Sequence, residues 1–223
     1  MSETDPHRRV VRALTAAEKE ELVEALKARD DRKRSARASA NEWRQKRGRE
    51  LLPVIGKFAD PLTPAVIVSL ETGVRRGELF SMKWGKSVDF DKREIRVRGK
   101  TFETRDIPLN KVAFETLRAW WLQQGQLKTG YVFTIDGEQL KNLKRSYHGA
   151  LAAAGIKRVN ARGERVNWHS LRHTFGTLLG AALVDPTTLQ KLMGHANLAT
   201  TQRYLHSDEE RMRDAVHRLT GSA

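Results

Sequence analysis

Tyr204 follows His195 by nine residues in the stretch Leu192-Met193-Gly194-His195-Ala196-Asn197-Leu198-Ala199-Thr200-Thr201-Gln202-Arg203-Tyr204, and the cluster His169-Ser170-Leu171-Arg172-His173 stands upstream. A phenol, imidazoles and a guanidinium are the groups needed to attack a phosphodiester. The phenol supplies the nucleophile, and the cations hold the phosphate while it gains a fifth oxygen. A free phenol has a pKa near ~10 and attacks poorly until cations or a base stabilise its oxyanion. Helical spacing of three puts His169 and Arg172 on one face. His173, four after His169, raises a metal pair as the alternative, but no third ligand is placed and no Glu follows the first His. Gly194-His195 by itself reads as a C-terminal helix cap.

These stretches resemble the tyrosine recombinase (phage integrase) family, whose C-terminal signature reads His-x-x-Arg, then Gly-His, then Tyr nine residues later. Glu71-Thr72-Gly73-Val74-Arg75-Arg76-Gly77-Glu78-Leu79 is similar to the family's first arginine box. That match points to Arg75, two after the glycine, where residue type alone leaves Arg76 open. Lys100, in a predicted hairpin turn eight residues before Pro108, matches the family's general-acid lysine, with Lys92 the nearest competitor.

The resemblance implies a set of roles. Arg75 and Arg172 would clamp the phosphate, since a planar guanidinium donates two hydrogen bonds and stays charged. His169 would assist proton transfer near the attacking oxygen, and His195 would hydrogen-bond the phosphate. Lys100 would protonate the leaving 5′ oxygen, which suits a group with a free pKa of ~10.4. Tyr204 would be the nucleophile, left joined to a 3′ phosphate, so that strands are cut and rejoined without ATP, metal or other cofactor. The implied activity is site-specific DNA recombination. A type IB-like topoisomerase and a DNA-binding protein with vestigial catalytic residues are the alternatives. Implied partners are double-stranded DNA attachment sites, three further copies of the chain in a tetramer on DNA, and accessory DNA-bending proteins. The expected organisation is a tail or linker over 1–11 and a catalytic domain over 12–223, with the family's N-terminal core-binding domain absent from this chain.

Composition agrees with a polyanionic partner. The chain has 223 residues and a formal charge of +14, enough length for a buried core and a charge suited to nucleic acid. Long apolar runs are missing, so no membrane partner is expected, and Met1 to Arg12 lacks the apolar core of a signal peptide. The absence of cysteine rules out disulfides and thiolate chemistry and is compatible with a reducing cytoplasm.

The elements that must position these groups are mostly helical. Thr15-Ala16-Ala17-Glu18 is a capping-box pattern opening a helix with Leu22 and Leu26 on one face. The run 29–49 follows, with nine Lys/Arg against three Asp/Glu, and reads as a largely solvated helix suited to phosphate contact or a neighbour's acidic surface, with a charged exposed helix that has no partner as the alternative. Pro61-Leu62-Thr63-Pro64 starts an apolar helix that breaks at Thr72-Gly73, and Arg75 to Met82 forms another. Glu94-Ile95-Arg96-Val97-Arg98 alternates with period two and pairs with a returning strand over 105–108. Helices are expected over Lys111–Gln123, Glu138–Ala154, His169–Leu183, Pro186–Met193, Leu198–Leu205 and Asp208–Leu219.

Residues 141–165 hold seven Lys/Arg against one acid, and the resemblance implies that the Glu138–Ala154 helix faces DNA through Lys141, Lys144 and Arg145, with a solvated basic face as the alternative. Met212, Val216 and Leu219 form an apolar stripe that either folds back on its own domain or, as the resemblance implies, docks on a neighbouring copy. The fold class expected is mostly α (α+β), a helical domain with one small antiparallel β-sheet.

Overall fold

In the computed structural model, residues 10–99 and 103–204 are described. The chain divides into two compact units, Met1–Phe175 and Gly176–Ala223.

The first unit opens with α1 (Ala16–Gln45). Its start is fixed as the sequence suggests: the Thr15 hydroxyl accepts from Glu18 N at 3.1 Å, and the Glu18 carboxylate accepts from Thr15 N at 2.9 Å. Arg12 forks onto the same carboxylate with two contacts of 2.6 Å, and its hydrogen bond and charge hold Glu18 below the usual carboxylate range. Leu22 and Leu26 are fully buried.

α2 (Leu62–Thr72) buries all but one of its residues, which explains why its sequence is apolar all round. It ends at Gly73 with φ 63°, and a β-carbon there would lie 2.3 Å from the Phe175 ring. Both facts demand glycine. α3 (Arg76–Ser81) follows directly, and α4 (Lys111–Gln123), capped by Asn110, packs on α2.

Between α3 and α4 lies a three-stranded antiparallel sheet in the order β1 (Val88–Asp89), β2 (Glu94–Arg98), β3 (Thr104–Pro108). β2 and β3 form the expected hairpin, with Ile95 opposite Ile107 and Val97 opposite Arg105. Lys100, which follows β2 in the sequence and was expected in a turn, lies outside the described residues. Two residues of β1 are too few for a period-two pattern, so the sequence did not reveal that strand.

The predicted helix over Glu138–Ala154 requires correction. Thr134–Ile135 (β4) and Glu138–Gln139 (β5) form a second, two-stranded sheet around Asp136 and Gly137, both at positive φ. An Asp-Gly pair is a strong hairpin signal, and here it outweighs the helical pattern. The helix, α5, spans only Lys144–Ala153. Among the described residues there are thus two small sheets where one was expected. α6 (Trp168–Ala181) runs across the boundary between the units.

In the second unit, Asp185 caps α7 (Pro186–Met193) by accepting from Thr187 N and Thr188 N. Proline sits in the first turn, and Gly194 closes the helix at φ 59°. α8 is shorter than expected, Leu198–Gln202, and Asn197 caps it. The predicted Asp208–Leu219 helix, with Met212, Val216 and Leu219, lies outside the described residues. The molecule is mostly helical with small antiparallel sheets, and none of its described helices is long and apolar enough to cross a membrane.

Candidate active site

In the first unit the arginine box is built around Glu78. Arg75 ends the extended segment before α3, and its backbone N–H donates to the Glu78 carboxylate at 2.9 Å. Its Nη1 donates to the same carboxylate at 2.9 Å. From β3, Arg105 closes on both oxygens, at 2.9 and 2.8 Å. Burial alone would raise the Glu78 carboxyl, but the Arg105 and Arg75 bonds outweigh it and hold it below the usual range. The carboxylate is therefore a charged anchor that fixes the direction of the Arg75 guanidinium.

Arg172 joins this corner from α6. It is almost fully buried, and its Nη1 donates to the Gly73 carbonyl at 2.7 Å, two residues before Arg75. His169 stands one turn earlier on α6, with its ring edge-on to His173 at 4.7 Å. Helical spacing thus does put His169 and Arg172 on one side, and both line a cavity of about 430 Å³ with Arg76, Lys144 and His148. Burial and the neighbouring Arg158 and Lys144 charges lower the His148 pKa.

Of the three candidate DNA contacts, Lys141 sits in the loop before α5, while Lys144 and Arg145 occupy its first turn. All three are exposed, and Lys144 alone of them reaches the cavity.

The second unit brings His195 and Tyr204 together. Their rings stack at 10° with centroids 6.2 Å apart. His195 follows the left-handed Gly194, and its Nδ1 lies 3.0 Å from the Thr201 hydroxyl. The fully buried Thr201 also accepts, through its carbonyl, from Tyr204 N at 2.9 Å. Tyr204 itself is buried and packs on two glycines of α6. A β-carbon on Gly176 would come within 2.9 Å of the Tyr204 ring, and one on Gly180 within 2.0 Å of the Tyr204 carbonyl oxygen.

The other tyrosines sit differently. Tyr147 is 1% exposed, burial pushes its phenol well above the ordinary value, and its hydroxyl lies 3.4 Å from the Asn167 carbonyl. Tyr131 packs under the Lys83 ammonium.

The profile of the phage integrase family matches residues 57–211, which contain every one of these groups. The chain belongs to that family. Among its curated relatives, tyrosine recombinase XerC of Shewanella sp. (strain W3-18-1) is 34% identical over 154 residues, covering 67% of this chain and 50% of the relative. XerC of Pseudomonas aeruginosa (strain LESB58) is 31% identical over 151 residues, covering 66% and 48%. The chain spans about half the length of these relatives.

The same fold occurs in solved structures. XerA recombinase superposes with TM-score 0.65 at 23% identity, covering 96% of this chain and 67% of that one. XerH in a pre-cleavage complex with its difH substrate gives 0.66 at 22%, covering 96% and 55%. The catalytic domain of bacteriophage HP1 integrase gives 0.60 at 18%, covering 96% and 99%.

Several contributors escaped the sequence reading. Arg105 shares the inward face of β3 with Ile107, and a cation in an apolar column implies a buried acid partner. That signal was legible. Thr201 and the two α6 glycines carried none, because their roles depend on tertiary approach.

Proposed function

We propose that this chain is the catalytic part of a site-specific DNA recombinase in which Tyr204 is the nucleophile. The observation that carries the proposal is the stacking of Tyr204 on His195, whose Nδ1 is engaged by Thr201. A tyrosine held against an imidazole of fixed orientation is suited to phosphodiester attack.

In the proposed reaction the Tyr204 oxygen bonds to phosphorus as the bond from phosphorus to the 5′ oxygen breaks. The phenolic proton leaves with help from His169, and Lys100 protonates the departing 5′ oxygen. Arg75, Arg172 and His195 stabilise the charge that gathers on the nonbridging oxygens. With Nδ1 committed to Thr201, His195 would meet the phosphate through Nε2. The energy of the phosphodiester is retained in the phosphotyrosyl ester, so a second strand's 5′ hydroxyl reverses the step without ATP. Lys141, Lys144 and Arg145 supply contacts to the DNA backbone, four copies assemble on paired attachment sites, and bending proteins assist. The similar XerH recombinase is bound to its difH substrate in a pre-cleavage complex and to palindromic difH in a post-cleavage complex, which supports a substrate of this kind.

The test is incubation with a nicked duplex whose short 5′ fragment diffuses away after cleavage, with chelator present. A denaturant-resistant, protease-sensitive protein–DNA adduct is expected. Tight binding without any adduct would leave a DNA-binding protein and overturn the proposal.

A further inference from the structure

The basic run over 29–49 folds as a two-ply arm. α1 buries no side chain after Asp30 yet continues to Gln45, roughly 22 Å further at 1.5 Å per residue. The chain then returns beside it through residues 49–56 without regular structure. Side chains along one face of α1 hold the returning segment by its carbonyls. Arg34 donates to Lys57 O at 2.6 Å and Arg37 to Pro53 O. Asn41 exchanges two bonds with Leu52, at 2.9 and 2.8 Å, and Arg44 donates to Glu50 O.

Two features of this arm set it apart from a merely solvated helix. It has no apolar core to justify it, since Leu51 and Val54 are exposed, Val54 by 88%. Beyond Arg34 its cations also outnumber its acids, with Arg37, Arg44, Lys46, Arg47 and Arg49 against Glu42 and Glu50. Carbonyls are neutral partners, and among the described residues the ion pairs along α1 end at Arg34 with Asp31. At the tip Arg47 and Arg49 flank the half-exposed Trp43 ring, 4.2 and 5.1 Å from its centroid. Both guanidinium groups are thereby held at the tip against one ring, and Arg47 also donates to the Trp43 carbonyl at 3.3 Å. Braced like charges at the end of a projecting arm are costly unless a polyanion meets them.

The geometry points to a second DNA contact: the arm grips the phosphate backbone of the duplex flanking the cleavage site through Lys46, Arg47 and Arg49. This inference rests on the recombinase reading given above. Its reach follows from α1, which begins beside α6, where Leu14 N donates to Thr174 Oγ1 at 2.9 Å. Thirty residues of helix span about 45 Å, or roughly 13 base pairs of B-DNA. The contact therefore lies within about 13 base pairs of the groups on α6.

The full chain and its Lys46→Gln/Arg47→Gln/Arg49→Gln variant would be titrated with duplexes of about 12 and 30 base pairs over a range of salt. Each phosphate contact contributes about −0.9 to the slope of log K against log salt. The wild-type slope should be steeper on the long duplex by roughly 2–3, and the variant should lose that increment while matching wild type on the short duplex. Equal slopes for the two proteins on the long duplex overturn the arm contact and leave the recombinase reading intact. A variant that changes sedimentation of the free protein but not the DNA slope also overturns it, because the arm would then face protein. If wild type binds neither duplex, the functional reading itself falls.

Discussion

Arg105 and Glu78 meet fork to fork, with both guanidinium ends on both carboxylate oxygens at 2.9 and 2.8 Å. The same carboxylate takes two donors from Arg75, so β3 and the arginine box are fastened through one side chain. Arg105→Gln leaves Glu78 buried with half its partners. Breaking such a pair costs about 3 kcal/mol, readable as a lowered urea midpoint. Arg105→Lys keeps the charge and should recover part of the stability but less of the cleavage rate. Unchanged stability in Arg105→Gln would show that the fork contributes nothing.

Acid should expose the same anchor. The Glu78 carboxyl is held below its ordinary 4.5, so its stabilising contribution is complete above that pH and is lost as pH falls through the folded value. Stability of wild type relative to Glu78→Gln should therefore be level at neutral pH and shrink below about pH 4.5. A difference that stays constant into acid would mean the carboxylate is not ion-paired in solution.

The adjacent arginines should separate cleanly. Arg75 is directed by Glu78, whereas Arg76 is exposed and lines the cavity with His169 and Arg172. Arg75→Lys and Arg172→Lys should each slow adduct formation by roughly two orders of magnitude, because one charge-stabilising fork is lost. Arg76→Lys should act mainly on DNA affinity. The opposite pattern in single-turnover cleavage would move the clamp to Arg76.

Gly180 should prove intolerant of a side chain. An alanine β-carbon would sit 2.0 Å from the Tyr204 carbonyl oxygen, so the residue must move. A displacement near 1 Å can cost about 100-fold in rate. Gly180→Ala should show that loss in cleavage while non-covalent DNA binding holds, and normal cleavage would mean Tyr204 does not rest on α6 in the reacting state.

What the sequence revealed follows from how locally each feature is encoded. The capping box at Thr15, the alternating Ile95 and Val97, and Pro186 at the start of α7 are decided by neighbours a few residues away. α7 and α4 accordingly run over the expected residues, and the helical class with small sheets holds. The reading of Glu138–Ala154 failed at its start because the helix was begun directly after Asp136-Gly137, a hairpin turn signal whose returning strand takes Glu138 and Gln139. Which acid Arg105 meets, and the approach of Tyr204 to Gly176 and Gly180, could not be read for another reason. Each joins residues 24 or more apart in the chain, and only packing brings them into contact. The His-x-x-Arg and Gly-His to Tyr spacings were legible because their residue types are demanding.

The central claim is that Tyr204, and no other tyrosine, carries the covalent bond to DNA. Adduct formation on the nicked duplex should be measured for wild type, Tyr204→Phe and Tyr147→Phe, with binding affinity followed in parallel. Tyr204→Phe should form no adduct while its affinity and melting temperature stay near wild type, because only a hydroxyl is removed. Tyr147→Phe should still form the adduct. Adduct persisting in Tyr204→Phe, or vanishing only in Tyr147→Phe, would contradict the assignment.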